Sequence, residues 1–264
     1  MNTSINNHRT LGGIIALLLV SVLMLLSLPM DGAEGDVAQT IVVYGASGKI
    51  GGLIVKEALQ RGHRVIGVSR NPNKLLVEHK NFTTVKGDVT DFESVKTVTS
   101  GADSVVISVS GSGAGNTPEN SVHARAATTV IAVFSESKDA PYVIQMGGGT
   151  TMFGTKEAML ANLPMPAPKG SPMYGHFLGH LVALQAYRAS DIDWTVITPP
   201  LQIRGWTRKG ITDTQRVGVY RSSTSEHLRD AEGQSAIFVA DLAAATIDEL
   251  ENKNFVRQRF TVGY

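Results

Sequence analysis

Residues 40–52 read TIVVYGASGKIGG, and this stretch decides how the rest of the chain is understood. A β-branched run, Thr40–Tyr44, meets a glycine-rich turn at once, and a broad apolar face with helical spacing (Ile50, Leu53, Ile54, Val55, Ala58, Leu59) follows over Lys49–Arg61. Strand, glycine turn and helix in that order form the first unit of a dinucleotide fold, with the spacing G-x-x-G-x-x-G at Gly45, Gly48 and Gly51. Gly45 permits the tight turn, Gly48 lets backbone approach a pyrophosphate, and Gly51 lets helix pack on strand. The N–H groups around Ser47, Lys49 and Ile50 would face the phosphates.

Outward from this unit the pattern repeats. Further strands are predicted at Arg64–Ser69, Thr83–Lys86, Ser104–Ser108, Tyr142–Gln145 and Trp194–Ile197. Helices are predicted from an Asp91 cap to about Thr99, from Pro118 or Glu119 to Ser137, and over Met173–Ala189. Alternation of this kind specifies one α/β domain over residues 36–264, a doubly wound, mostly parallel Rossmann sheet with helices on both faces. Two stretches break the alternation, 147–172 and 199–218, and both are expected as long substrate loops at the carboxyl ends of strands.

The end of the second strand speaks to the choice of nicotinamide cofactor. An acid there would bind the ribose hydroxyls of NAD, but the chain has Ser69, Arg70 and Asn71, with Lys74 a turn later. A guanidinium clamps a phosphate bidentately, so NADP(H) is expected over NAD(H), with Arg70 as its reader. Asp88 and Val89, after the third strand, are expected beside the adenine. Ser110, after the fourth strand, and Gly147 and Thr150, after the fifth, are expected to converge on the nicotinamide end, with Ser110 and Thr150 as polar contacts. Trp206 on the later loop could stack on an aromatic acceptor or simply pack the loop.

Composition narrows the class. Twenty-four basic and 23 acidic residues leave a formal charge of +1, which gives no footprint for nucleic acid. With no cysteine, disulfides, thiolate metal sites and thiol nucleophiles are excluded. From Leu11 to Leu28 run eighteen uncharged residues, after Arg9 and before Asp31, Glu34 and Asp36. As a helix they would span about 27 Å, close to a bilayer's hydrocarbon core. Residues 1–35 are therefore read as a signal peptide cleaved before Asp36 or as a retained membrane anchor. Either reading favours an exported or membrane-anchored domain, periplasmic in a bacterium, with a cytoplasm-facing topology left open.

Five strings coincide with one family: VVYGASGKIG (42–51), KGDVTD (86–91), DIDWTVITPP (191–200), ADLAAATIDELEN (240–252) and RQRFTVGY (257–264). Together they resemble the atypical short-chain dehydrogenase/reductases with an NAD(P)H-binding domain, especially the bacterial NADH-flavin reductase group and the related biliverdin reductase B type. The resemblance covers about Thr40 to Tyr264. It implies a seven- or eight-stranded Rossmann sheet, NADPH at the glycine loop, and members ranging from flavin and quinone reductases to non-catalytic redox sensors.

One departure bears on chemistry. The short-chain enzymes pair a catalytic Tyr with a Lys four residues later, whose charge lowers the phenol pKa. Tyr174 opens a helix in the corresponding region, but Leu178 stands four residues on. Tyr174 remains the candidate proton donor, with His176 and His180 nearby at i, i+4 spacing. Lacking an HExxH acid and an evident third ligand, those histidines predict no metal site. Hydride transfer to a flavin-like or quinone-like acceptor needs mainly ring stacking, since water can replace a missing acid, so it suits this chain better than ketone reduction. A non-catalytic NADP(H)-binding sensor or assembly factor acting through a protein partner is the alternative.

Overall fold

The computed structural model describes residues 38–75, 77–111, 117–207 and 209–264. The apolar segment of residues 11–28, and with it the signal-or-anchor reading, lies outside these residues. Among the described residues no helix is long and apolar enough to cross a membrane.

The strands are β1 (Thr40–Tyr44), β2 (Arg64–Ser69), β3 (Phe82–Lys86), β4 (Ser104–Ile107), β5 (Tyr142–Met146), β6 (Trp194–Thr198), β7 (Gln202–Arg204), β8 (Arg221–Ser223), β9 (Ala236–Phe238) and β10 (Gln258–Gly263). The helices are α1 (Lys49–Gln60), α2 (Phe92–Val98), α3 (Val122–Ser135), α4 (Lys156–Ala161), α5 (Pro172–Arg188) and α6 (Val239–Asn252). Eight strands form one sheet in the order β3-β2-β1-β4-β5-β6-β10-β8, parallel throughout except where β8 runs against β10. β7 and β9 pair separately. The expected Rossmann architecture is therefore present.

Both faces of the sheet are covered, which is why its strands read as near-continuous Val and Ile runs rather than as alternating patterns. Ile41 and Val43 of β1 point to one face, where they meet Ile54, Val55 and Ala58 of α1 and Leu242 and Ile247 of α6. Val42 and Tyr44 point to the other, with Val95 of α2, Val130 of α3 and Leu184 and Tyr187 of α5. Each such fully buried side chain stabilises the fold by about 1.5–3 kcal/mol. Arg61 just beyond α1 ties the first pair of helices together, reaching Glu57, Asp248 and Glu251 at 2.6–2.8 Å.

Element boundaries follow local chemistry. Ser121, not Pro118 or Glu119, opens α3, because its Oγ accepts the Ala124 N–H while Pro118–Ser121 closes a turn. Ser171 caps α5 in the same way and places Pro172 at the first helical position, where a missing N–H costs nothing. The expected loop 147–172 carries a 3-10 turn over Gly149–Phe153 and the short helix α4, which Thr155 caps. The expected loop 199–218 is likewise partly ordered. It holds β7 and a bridge between Trp206 and Ile211.

Candidate functional site

The strand order reverses between β1 and β4, and a ligand crevice is expected there in a doubly wound sheet. A cleft of about 500 Å³ opens at that point. It is lined by Tyr44, Gly45, Ser47 and Gly48 from the glycine loop, Ser69, Arg70 and Asn71 from the end of β2, Asp88, Val89 and Thr90 after β3, Ser108–Gly111 after β4, and Val122 and Arg125 of α3.

The glycine turn is built as its spacing predicts. Gly45 has φ +81°, and a Cβ there would lie 2.3 Å from the Ser108 carbonyl oxygen. A Cβ on Gly51 would lie 2.2 Å from the Gly45 carbonyl oxygen, so only glycine lets α1 begin this close to the turn. Helix α1 has no side-chain cap at Gly48 and no acid in its first turn, whereas Asp91, Ser121, Thr155 and Ser171 cap α2 to α5. Its leading N–H groups therefore keep their capacity for an anion. Ile50 turns from the cleft to pack against the core.

At the end of β2, Ser69 Oγ contacts Ser47 Oγ at 3.1 Å and holds Asn71 through its backbone N–H at 3.2 Å. These bonds shape the turn that presents Arg70. Arg70 is exposed and forms no ion pair with a described residue, and no acid lines this end of the cleft. The Lys74 side chain lies outside the described set. Deeper in, the Tyr44 hydroxyl is buried without a hydrogen-bond partner, and burial together with the Asp88 charge pushes its pKa up. A lone buried donor facing a cleft is the kind of group a bound ligand satisfies. Asp88 Oδ1 accepts the Thr90 N–H and hydroxyl, both at 2.9 Å, and Arg125 reaches the Thr90 hydroxyl at 3.1 Å. An α3 arginine beside the cleft had no motif to announce it in the sequence, and only the fold brings it there.

The three expected catalytic groups do not line one hollow together. Ser110 is exposed in the cleft. Thr150 is buried in the 3-10 turn after β5. Tyr174 lines a second hollow of about 830 Å³ with Lys156, Leu160, Leu163, Pro164, Met165, Pro166, Ala167 and Lys169. Gly147 gives its N–H to the Ile197 carbonyl at 2.8 Å and packs on Val196 and Thr198 rather than lining the cleft. Trp206 carries the Lys49 ammonium over its ring, 5.6 Å from the centroid, and Lys49 also donates to the Thr207 carbonyl at 2.9 Å. The loop 205–213 is thereby tied to the helix that begins at the glycine turn.

A third histidine joins the expected pair. His123 of α3 lies between His176 and His180 of α5, its Nε2 3.2 Å from His176 Nδ1 and its ring stacked on His180 at 3.6 Å. Burial, and then the neighbouring His176, pushes the His123 pKa down to about 3. Burial, followed by both other rings, holds His180 well below the usual histidine range.

The sequence profile of the NAD(P)H-binding family matches residues 45–253, most of the folded domain. The chain belongs to that family. Bacillus subtilis YwnB is 29% identical over 225 residues, spanning 84% of this chain and 97% of YwnB. Among solved structures, a "putative exported protein" of Burkholderia pseudomallei is 26% identical with a TM-score of 0.68, covering 86% of this chain and all of that one. A "putative NADH-flavin reductase" of Streptococcus pneumoniae has the same TM-score at 22% identity, over 86% of this chain and 99% of its own, and shows the shared fold. An NAD(P)H-binding Rossmann domain is thus the family setting of the cleft.

Proposed function

We propose that this chain is an NADPH-dependent reductase that passes a hydride to a flavin-like or quinone-like planar acceptor. The observation that carries the reading is the cleft at the β1/β4 reversal, with an uncapped helix start on one side and, on the other, the exposed Arg70 guanidinium, which pairs with no acid among the described residues. Bound NADPH would supply the hydride. The α1 N–H groups would hold the pyrophosphate, Arg70 the 2′-phosphate, and Tyr44 with Asp88 the adenine end, while Ser110 would meet the carboxamide or the acceptor. In the balanced reaction the acceptor gains a hydride and one proton, and NADP⁺ leaves. With no lysine four residues after Tyr174, the proton comes from water or from an unassisted tyrosine, which suits acceptors whose reduced form is readily protonated.

The test is stopped-flow oxidation of enzyme-bound NADPH against a panel of flavins and quinones. Turnover of at least one acceptor supports the reading. Tight NADPH binding with no oxidation by any of them overturns it in favour of a nucleotide-binding sensor. The exported or membrane-anchored placement of the domain, through residues 1–35, is a separate proposal. Fractionation with protease accessibility on intact cells and spheroplasts tests it: cytosolic recovery of a protease-protected chain with its first 35 residues intact would end it.

A further inference from the structure

The first turn of α3 and the first half of α5 meet where two glycines remove all spacing between backbone and side chain. A Cβ on Gly179 of α5 would fall 1.9 Å from the Oγ of Ser121, the cap of α3. One on Gly148 would fall 2.7 Å from Cδ2 of His180. The close helix approach sets His123 against His176 and His180, which share a face of α5 by their i, i+4 spacing. Three of the chain's seven histidines converge here, with one ring nitrogen from each within 4.8 Å of the others. Two are buried, and His176 is half-buried on the solvent side. His180 Nδ1 is buried with no hydrogen-bond partner.

Packing alone does not account for this arrangement. Three imidazoles in contact, one with an unsatisfied buried nitrogen, are costly as a core filler, because an unpaired buried polar atom loses about 1–3 kcal/mol. An ion that accepts lone pairs removes the cost. We propose that His123, His176 and His180 form a binding site for a divalent transition metal ion of the zinc class, held by three neutral imidazoles with a fourth position open on the His176 side.

The geometry fits with modest adjustment. Zinc–nitrogen bonds of about 2.0–2.1 Å in a tetrahedron set the ligand nitrogens roughly 3.3–3.4 Å apart. The His123–His176 pair already stands at 3.2 Å, so the His180 ring has to turn to bring its nitrogen in. The proton between the His123 and His176 nitrogens moves to the far nitrogen of its own ring, so each imidazole binds neutral. Burial keeps His123 and His180 unprotonated at neutral pH, which leaves their lone pairs available. Three imidazoles suit zinc, copper or nickel rather than magnesium or calcium, which take oxygen ligands. The ion keeps its double positive charge, so the fourth ligand is a hydroxide or another small anion or oxygen donor from solvent.

Cobalt(II) titration of the untagged full chain, stripped with a chelator, tests the site. The expected result is one equivalent bound per chain with the strong visible ligand-field absorption of tetrahedral cobalt, displaced by zinc. His176→Ala and His123→Asn should each weaken cobalt binding at least about 100-fold while NADPH binding is unchanged. Should either variant fail to fold, X-ray absorption on the zinc-loaded wild-type chain gives an independent reading, a four-coordinate shell with three nitrogen scatterers recognised as imidazoles by the outer-shell scattering of their rings, plus one oxygen ligand. No saturable one-to-one binding, the weak absorption of octahedral cobalt, wild-type affinity in folded variants, or fewer than three nitrogen scatterers would each overturn the site.

Discussion

Replacing Arg70 with Glu should invert the cofactor preference, and its magnitude follows from where Arg70 stands. The guanidinium is exposed at the rim of the cleft, and among the described residues no carboxylate pairs with it in competition with a ligand phosphate. A charge-assisted hydrogen-bonded contact contributes about 1.5–3 kcal/mol, and its loss alone weakens NADPH binding roughly 10- to 150-fold. The new carboxylate adds repulsion of about 1 kcal/mol per unit charge at 4 Å in water, acting on a phosphate of about −1.5 to −2. NADH lacks that phosphate, and a carboxylate at the end of β2 can accept its ribose hydroxyls. The NADPH-to-NADH affinity ratio should therefore fall by 3–5 kcal/mol, more than about 100-fold, as read by fluorescence titration of each cofactor. The effect should shrink with added salt, because the site is open to screening. An affinity ratio that moves less than about 3-fold at low salt would show that Arg70 does not read the 2′-phosphate.

Other consequences are equally concrete. Gly51→Ala puts a Cβ 2.2 Å from the Gly45 carbonyl oxygen, an atom that cannot yield without moving the turn; it should cost about 1–3 kcal/mol, lower Tm by roughly 2–12 °C and abolish NADPH binding, and a wild-type melting curve would count against the close-packing role. Burial raises the phenol pKa of Tyr187, and burial with the Glu249 contact raises that of Tyr142, so the folded chain keeps both protons above pH 10 where the unfolded chain releases them. Stability should be fully present below about pH 10 and decline above it by roughly 1.4 kcal/mol per pH unit for each tyrosine, measured as a falling denaturation midpoint; a midpoint flat from pH 9 to 11 would contradict this. Lys49→Met removes the tie to Thr207 and Trp206, and hydrogen exchange at the Thr207 and Thr212 amides should speed up about 5-fold, for a contact of about 1 kcal/mol; unchanged exchange would mean the loop holds itself.

The legible parts of the sequence were those whose signal is local. Residues 40–52 carry strand, turn and helix within one unit, and the structure reproduces β1, α1 and the close contacts at Gly45 and Gly51. The central strands were readable because burial on both faces removes polar residues from them. What could not be read depends on tertiary approach. His123 lies 53 residues before His176 on another helix, and the close approach of the two helices depends on Gly179, silent in sequence, where a Cβ would meet Ser121. Arg125 likewise comes to the cleft at the β1/β4 reversal only through the fold. Tyr174 illustrates the converse. Its sequence position marked it as a candidate proton donor, and the segment 155–172, with its short helix, places it in a hollow lined by Pro164, Pro166 and two lysines.

The place of β10 in the sheet has a consequence for how the protein is made. It is the last strand in chain order, yet it occupies an inner slot, hydrogen-bonded to β6 on one side and β8 on the other. During synthesis β6 emerges long before its partner, and β8 emerges with no neighbour to pair with. The edge of β6, five fully buried residues in the finished fold, stays open throughout that interval and is the segment most exposed to wrong pairing. A nascent chain of this topology calls for protection at Trp194–Thr198 until residues 258–263 arrive. Slow translation between those points would raise its risk of aggregation without altering a single contact in the native state.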